Sequence, residues 1–152
     1  MKTLASARDR EEIRQRLAAL RPDSTRLWGT MSPNQMVCHL ADSFRGVMGQ
    51  KRLSLAPKMF GRKVVKWIAL YAPMKWPHGL ATRPEMDQFQ GGTPAVAFES
   101  DVSELHKLMD QFTAVPRTFE WIPHPFFLEM SDRDWMRWGY LHMDHHFRQF
   151  GV

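Results

Sequence analysis

The chain of 152 residues contains one cysteine, Cys38. A single thiol supports neither an internal disulfide framework nor a cysteine-based zinc site, so any bound metal would need histidines and carboxylates. Long hydrophobic runs are also missing: the longest apolar patch, Val64 to Met74, is interrupted by Lys66 and is far shorter than the roughly 20 residues that span a bilayer. The chain turns polar and charged within its first ten residues and has no signal-peptide stretch. We therefore expect a cytoplasmic protein without a transmembrane helix, folded as one domain over residues 1–152.

Motifs of several familiar enzyme and nucleic-acid-binding classes are absent as well. The sequence has no glycine-rich phosphate-binding loop and no Gly-x-Ser-x-Gly nucleophile elbow. It also has no internal repeat, no low-complexity tract and no recognised nucleic-acid-binding motif. None of those classes is therefore indicated by a signature motif.

Acidic residues are missing from one long segment, Ser43 to Pro84. This basic segment carries nine cationic residues, which are Arg45, Lys51, Arg52, Lys58, Arg62, Lys63, Lys66, Lys75 and Arg83. Together with Trp67, Tyr71 and Trp76, such a segment would suit anionic substrates, lipid headgroups or nucleic acid. The alternative, which we favour, is a solvated helix face whose charges are neutralised by the net acidic remainder of the chain.

Hydrophobic spacing predicts an all-α fold with five helices. The second and fifth have the clearest beginnings, with Ser-x-x-Gln at Ser32 and Ser-Asp-Arg-Asp at Ser131 as capping boxes. The predicted spans are about Ala7 to Leu20, Pro33 to near Gly49, Pro57 to Tyr71, a cap at Ser100 or Asp101 through Phe112, and Ser131 to Gly151.

A stretch from Ala72 to Pro94 is difficult to place in any regular element. It contains four prolines and three glycines. A connection of this length within one domain either covers a site or is a solvated crossover between helices, and the sequence leaves both interpretations open.

Two histidines share the buried face of the last predicted helix. Successive residues advance by about 100°, which places His142 and His146 on the apolar face with Trp135, while Asp144 lies on the opposite arc as a surface carboxylate. Residues at i and i+4 have Cβ atoms about 6 Å apart, so both imidazoles can reach one ion. The alternative is two core histidines with separate hydrogen-bond partners; we favour the metal. His145 falls at the margin of this face and is expected to be solvated rather than beside the site.

A catalytic metal site usually takes three protein ligands, so another helix has to supply the third. His39 is the strongest candidate, because it lies at the edge of the apolar face of the second helix, beside Ser43. His78 and His106 are weaker candidates and are expected to be solvated. Trp138, one turn before His142, is expected to line the approach to the ion with Ser43.

Two motifs carry a family resemblance. They are Trp28-Gly29-Thr30-Met31-Ser32-Pro33-Asn34-Gln35-Met36-Val37-Cys38-His39-Leu40-Ala41-Asp42-Ser43 and His142-x-x-His145-His146-x-x-Gln149-Phe150-Gly151. They resemble the DinB/YfiT-like superfamily of metal-binding four-helix bundles, and more closely one of its uncharacterised bacterial subgroups. The resemblance implies a DinB-like four-helix bundle with an additional short helix and a long crossover loop. It also implies one divalent ion held by His39, His142 and His146. Zinc and nickel are our leading candidates for this ion, although imidazole ligands suit iron and copper as well.

The same resemblance bears on residues around the pocket and on the reaction. The subgroup's His-Pro-x-Phe-Gly motif corresponds to a segment that begins at His124 and has Leu128 in place of the glycine. His124 is expected to cap the last helix rather than approach the pocket, while Gln149 is counted among the pocket residues.

Some relatives are thiol-dependent transferases or isomerases, and others are hydrolases. Asp42 and Asp144 are both expected to project away from the site, which leaves no general base and weakens the hydrolase interpretation.

The function predicted from the sequence is therefore a metal-dependent transferase or hydrolase with an unknown small-molecule substrate. Two alternatives stay open: a non-enzymatic protein that binds a metal or small molecule, and an interaction protein that uses the basic segment. The sequence does not decide between a monomer and a homodimer.

Overall fold

The computed structural model describes residues 1–57 and 60–152, and within these ranges the fold is all-α, with no β-strand. Its helices are α1 (Ala7–Ala19), α2 (Pro33–Val47), α3 (Arg62–Tyr71), α4 (Phe98–Thr113) and α5 (Asp132–Gln149), with a 3-10 turn at Pro84–Met86. None of the helices in the described ranges is long and apolar enough to cross a membrane. The predicted fold class is confirmed.

The four longer helices form the bundle. α2 packs on α4, α1 packs on α5, and α5 also contacts α2 and the ten-residue α3. The largest fully buried side chains of the core include Trp135, Phe44, Phe112, Phe147, Ile13, Leu17, Met36, Leu40 and Leu105. Because α2 and α5 are in contact, polar residues on their facing sides are brought together inside an otherwise apolar core.

Both predicted capping boxes are present. The Ser32 hydroxyl accepts from the Gln35 amide at 3.2 Å, and the Gln35 side-chain oxygen accepts from the Ser32 amide at 2.8 Å. Ser131 and Asp134 make the same reciprocal pair at the start of α5, at 3.2 and 3.1 Å. These caps fix where the two histidine-bearing helices begin, and so fix the register of their inward faces.

Two predicted helix beginnings are wrong. α4 begins at Phe98, earlier than a cap at Ser100 or Asp101 would allow, because the Asp101 carboxylate accepts from the Val96 amide at 3.0 Å ahead of the helix. α3 begins at Arg62 rather than Pro57, directly after Gly61, whose φ of +72° is left-handed and stops a helix from continuing toward the N-terminus. Residues 58 and 59 of that predicted helix lie outside the described residues.

Asp144 of α5 contacts α1 rather than facing water, which corrects its placement as a surface carboxylate. Its Oδ1 atom accepts from Arg16 on α1 at 2.7 Å, and its Oδ2 atom accepts from Arg148 at 2.9 Å. These two cations hold the pKa of Asp144 below its usual range despite partial burial. Asp144 thus links two helices and points away from the face that carries His142.

The basic segment is partly neutralised by carboxylates elsewhere in the fold. Arg45 pairs with Asp42 and Glu104, Lys51 pairs with Asp42 at 2.7 Å, and Lys66 pairs with Asp134 at 3.1 Å. The interpretation that we favoured therefore holds for these three cations, while Lys63 and Lys75 are exposed.

Candidate metal centre

Three histidines from two helices meet inside the bundle. His39 comes from α2, and His142 and His146 come from adjacent turns of α5. The Nε2 atoms of His39 and His142 are 3.2 Å apart, and one nitrogen from each of the three rings lies within 4.8 Å of the others. Two nitrogens bound at about 2.05 Å to a tetrahedral zinc ion would be about 3.3 Å apart, so the closest pair already has the required separation.

Hydrogen bonds on the far side of two rings set which nitrogen faces the cluster. His39 Nδ1 donates to the Met86 carbonyl at 2.9 Å, and His146 Nδ1 donates to the Gln149 side-chain oxygen at 3.1 Å. The Gln149 amide nitrogen donates in turn to the Trp28 carbonyl at 2.9 Å, which fixes the orientation of its oxygen. With Nδ1 protonated, the neutral rings present the Nε2 lone pair, the form that coordinates a metal.

The environment favours uncharged imidazoles at all three positions. Burial lowers the pKa of His39, and it lowers the pKa of His142 and His146 well below the usual 6.5, with repulsion between the neighbouring histidines adding to the effect. Neutral imidazole is the ligand form, so no proton has to be displaced before an ion binds at pH 7. Three imidazoles suit zinc and nickel, as well as copper and iron.

Two tryptophans form walls beside the cluster. The Trp138 ring centroid is 5.0 Å from that of His142, and the Trp76 ring centroid is 6.1 Å from that of His142. Trp76 was not predicted as a site residue, because it belongs to the loop after α3. Its indole nitrogen donates to the Ala69 carbonyl at 2.7 Å, which holds the ring in place.

The stretch from Ala72 to Pro94 contacts the histidine cluster through Trp76 and Met86. The 3-10 turn at Pro84–Met86 contacts α2, where the Met86 carbonyl accepts from His39. Ser43 donates to the His39 carbonyl at 2.8 Å and lies 3.4 Å from the Met86 sulfur, so it supports this contact at the back of His39. The crossover therefore shapes the site through Trp76 and Met86, although many of its other residues are exposed.

Asp42 is fully buried beside the site. The expectation that its side chain projects away from the site did not predict this burial. Lys51 donates to its Oδ2 at 2.7 Å, and the Thr93 amide and hydroxyl donate to the two oxygens at 2.7 and 2.6 Å. Its oxygens are thus occupied, and its role is to fasten the end of the crossover loop to α2.

His145 is buried, which corrects the expectation of a solvated side chain. Its ring lies between Trp28, Trp76 and His78, at centroid distances of 6.1, 6.0 and 6.4 Å. Burial, with a smaller contribution from nearby Arg148, lowers its pKa to about 4. His78 itself is exposed and stacks on Trp28 at 4.0 Å, whereas His106 is half-buried on α4, away from the triad.

His124 does not cap α5, a role that Ser131 fulfils. Its Nδ1 atom instead accepts from the backbone amides of Phe126 and Phe127 at 3.1 and 3.2 Å. Its ring packs 5.5 Å from Trp138, and burial lowers its pKa to about 3. His124 therefore stabilises the loop before α5 and the tryptophan that borders the centre.

The comparisons with known proteins gave one match. The model of the family described as "Protein of unknown function (DUF1569)" matches residues 4–151. No curated protein and no solved structure matches the chain. Because the family match extends over nearly the whole sequence, the chain belongs to the DUF1569 family.

Proposed function

We propose that the protein binds one divalent metal ion, zinc or nickel, through His39, His142 and His146, and that it is a metal-dependent enzyme of the DinB-like type. The observation that carries this proposal is the convergence of three neutral imidazoles, two of which have their Nδ1 atoms held by hydrogen bonds. The resemblance of the two histidine motifs to the DinB/YfiT-like superfamily supports the same assignment.

The alternative of three ordinary core histidines explains the geometry less well. A buried nitrogen lone pair without a donor is costly, and two Nε2 atoms that face each other at 3.2 Å can share at most one proton between them. Protonation of the cluster is opposed by its burial. One shared ion satisfies all three lone pairs at once.

A bound divalent ion would lower the pKa of a coordinated water or thiol. The protein's own residues would orient that reaction: Met86 and Gln149 hold two of the rings, while Trp76 and Trp138 limit the access of bulk water. Neither Asp42 nor Asp144 is free to act as a base, because Asp42 accepts from Lys51 and Thr93 and Asp144 accepts from two arginines. A thiol that loses its proton on coordination needs no such base, so we favour a thiol-dependent transferase over a hydrolase.

The proposal is tested with protein loaded with zinc or nickel and assayed for transfer of a low-molecular-weight thiol to an activated aryl halide, and for ester hydrolysis. We expect thiol transfer by the wild type, loss of turnover and metal in His39→Ala, and retention of metal in His145→Ala. Stoichiometric metal without turnover of either substrate class would instead support a non-enzymatic metal-binding protein.

A further inference from the structure

α3 presents its apolar side to solvent. Val64, Trp67 and Ile68 are 61%, 60% and 41% exposed, and Leu70 is the one buried residue of the helix. Because successive residues of a helix are rotated by about 100° around its axis, these three exposed side chains lie on one side of α3, within a sector about 100° wide. The opposite side of α3 joins the bundle through the Leu70 side chain, which is buried in the hydrophobic core, and through polar contacts. In these contacts Lys66 pairs with Asp134, and Arg137 donates to the Leu70 carbonyl. The helix is amphipathic, but its apolar face points away from the core of the fold.

Cations lie on α3 and next to it. Lys63 is exposed on α3 itself, Arg133 of α5 lies 5.6 Å over the Tyr71 ring, and Lys75 follows the helix by one turn. No ion pair formed within residues 1–57 and 60–152 includes any of these three cations. Lys63 and Lys75 belong to the basic segment Ser43 to Pro84, which contains no acidic residue.

We propose that α3 docks on an anionic lipid surface. Val64, Trp67 and Ile68 would insert at the boundary between headgroups and acyl chains, while Lys63, Lys75 and Arg133 contact the anionic headgroups. An amphipathic helix with an aromatic and aliphatic face and a cationic rim is the usual form of such a membrane-surface anchor. The indole of tryptophan suits this boundary because it combines an apolar ring with a hydrogen-bond donor.

A second copy of the chain fits this face less well. The helix is about 15 Å long and its exposed face about 10 Å wide, whereas a stable pair of proteins buries about 800 Å² on each partner. A two-fold contact along α3 would also place the unpaired cations of both copies, Lys63 and Arg133, in one interface, and like charges in one interface oppose association. An anionic lipid surface neutralises those charges instead.

The test uses the full chain with phosphatidylcholine vesicles that either contain or lack phosphatidylserine. We expect flotation with the anionic vesicles only, a blue shift of tryptophan emission, and weaker binding as salt rises. Trp67→Gln combined with Ile68→Gln should weaken binding at least tenfold. A matched control, Phe89→Gln with Val96→Gln, changes two side chains that are 61% and 84% exposed outside α3 and should bind as the wild type does.

A second measurement avoids any question of whether the double variant folds. Vesicles with brominated acyl chains should quench part of the wild-type emission, and Trp67→Phe, which keeps an apolar ring, should bind but lose that quenching. Equal binding to both vesicle types, or quenching that persists in Trp67→Phe, would overturn the proposal. So would a wild-type dimer that the double variant dissociates in sedimentation, with no vesicle binding. Metal uptake should be unchanged in every α3 variant, so this proposal and the metal site fail independently.

Discussion

The Nε2 atoms of His39 and His142 lie 3.2 Å apart although 103 residues separate them in the chain. No local interaction produces this contact: it exists because α2 and α5 pack against each other with their capped beginnings in a fixed register. The contact therefore depends on the packing of the whole bundle, and we expect each residue that orients these two rings to affect metal affinity.

Gln149 is the first such residue, since its oxygen accepts from His146 Nδ1 and its amide donates to the Trp28 carbonyl. Gln149→Leu should weaken zinc affinity about 10- to 100-fold, the usual effect of removing the partner of a ligating histidine. Competition titration with a coloured chelator measures the change. Gln149→Glu, which keeps an acceptor for His146, should retain most of the affinity, and equal losses in both variants would contradict a role in orienting the ring.

The same glutamine explains why residue 29 is a glycine. A Cβ atom there would lie 2.3 Å from the Gln149 side-chain nitrogen, and φ is +80°. Gly29→Ala should therefore displace Gln149 and reduce zinc affinity in the same direction as Gln149→Leu. Wild-type affinity in Gly29→Ala would show that the position of Gln149 does not matter for the site.

His124 should make stability depend on pH. The unfolded chain takes up a proton on this histidine near pH 6.5, whereas the folded chain does so only at about pH 3. The stability that neutral His124 contributes is thus fully present above pH 6.5 and is lost as the pH falls, at about 1.4 kcal/mol per pH unit. Urea unfolding at a series of pH values should show a shallower fall between about pH 6 and pH 4 in His124→Asn, whose amide oxygen can still accept from the loop amides. Equal slopes in the two proteins would show that His124 is not held neutral.

Asp42 should be important for stability rather than for chemistry. Asp42→Ala leaves Lys51 and the Thr93 hydroxyl without their buried acceptor, and loss of one partner of a buried ion pair costs about 3 kcal/mol or more. Urea unfolding at pH 7 measures this change. Asp110→Ala, which removes an exposed carboxylate paired with Arg14, is the control and should have little effect. A stable Asp42→Ala protein that binds metal but has lost turnover would assign Asp42 to the reaction instead.

Tryptophan emission should report on the ion. Nickel or copper added to metal-free protein should quench Trp138 and Trp76, whose ring centroids are 5.0 and 6.1 Å from His142. Trp138→Phe and Trp76→Phe should each remove part of the quenched intensity, whereas Trp67→Phe on the exposed face of α3 should leave it unchanged. Quenching that survives in the first two variants would place the ion elsewhere.

Local patterns predicted the parts of the fold that local chemistry determines. Ser32 and Ser131 cap their helices through contacts within four residues, and the spacing of His142 and His146 follows from one helical turn. The sequence also identified His39, because its helix has a distinct apolar face with the histidine at the edge. The role of His39, His142 and His146 as metal ligands stays a prediction.

Features that depend on distant contacts were missed. Asp42 lies on the same helix as His39, but its burial results from Thr93, which is 51 residues further along the chain. The pattern of residues on one helix does not include such a distant contact. His145 is buried because Trp28 and Trp76 arrive from two separate loops. α3 was predicted as an ordinary helix. Its periodicity identifies an apolar side, but it does not show whether that side faces the bundle or solvent, because this depends on how the neighbouring helices pack.

Whether the three histidines bind an ion is decided by the metal content of the purified protein, measured by elemental analysis after loading and removal of free ions. We expect close to one zinc or nickel ion per chain in the wild type, in His145→Ala and in His78→Ala, and none in His142→Ala or His146→Ala. Circular dichroism of the two ligand variants confirms that they remain helical. Full metal content in His142→Ala and His146→Ala, or a wild type that takes up no ion under any loading condition, would contradict this expectation.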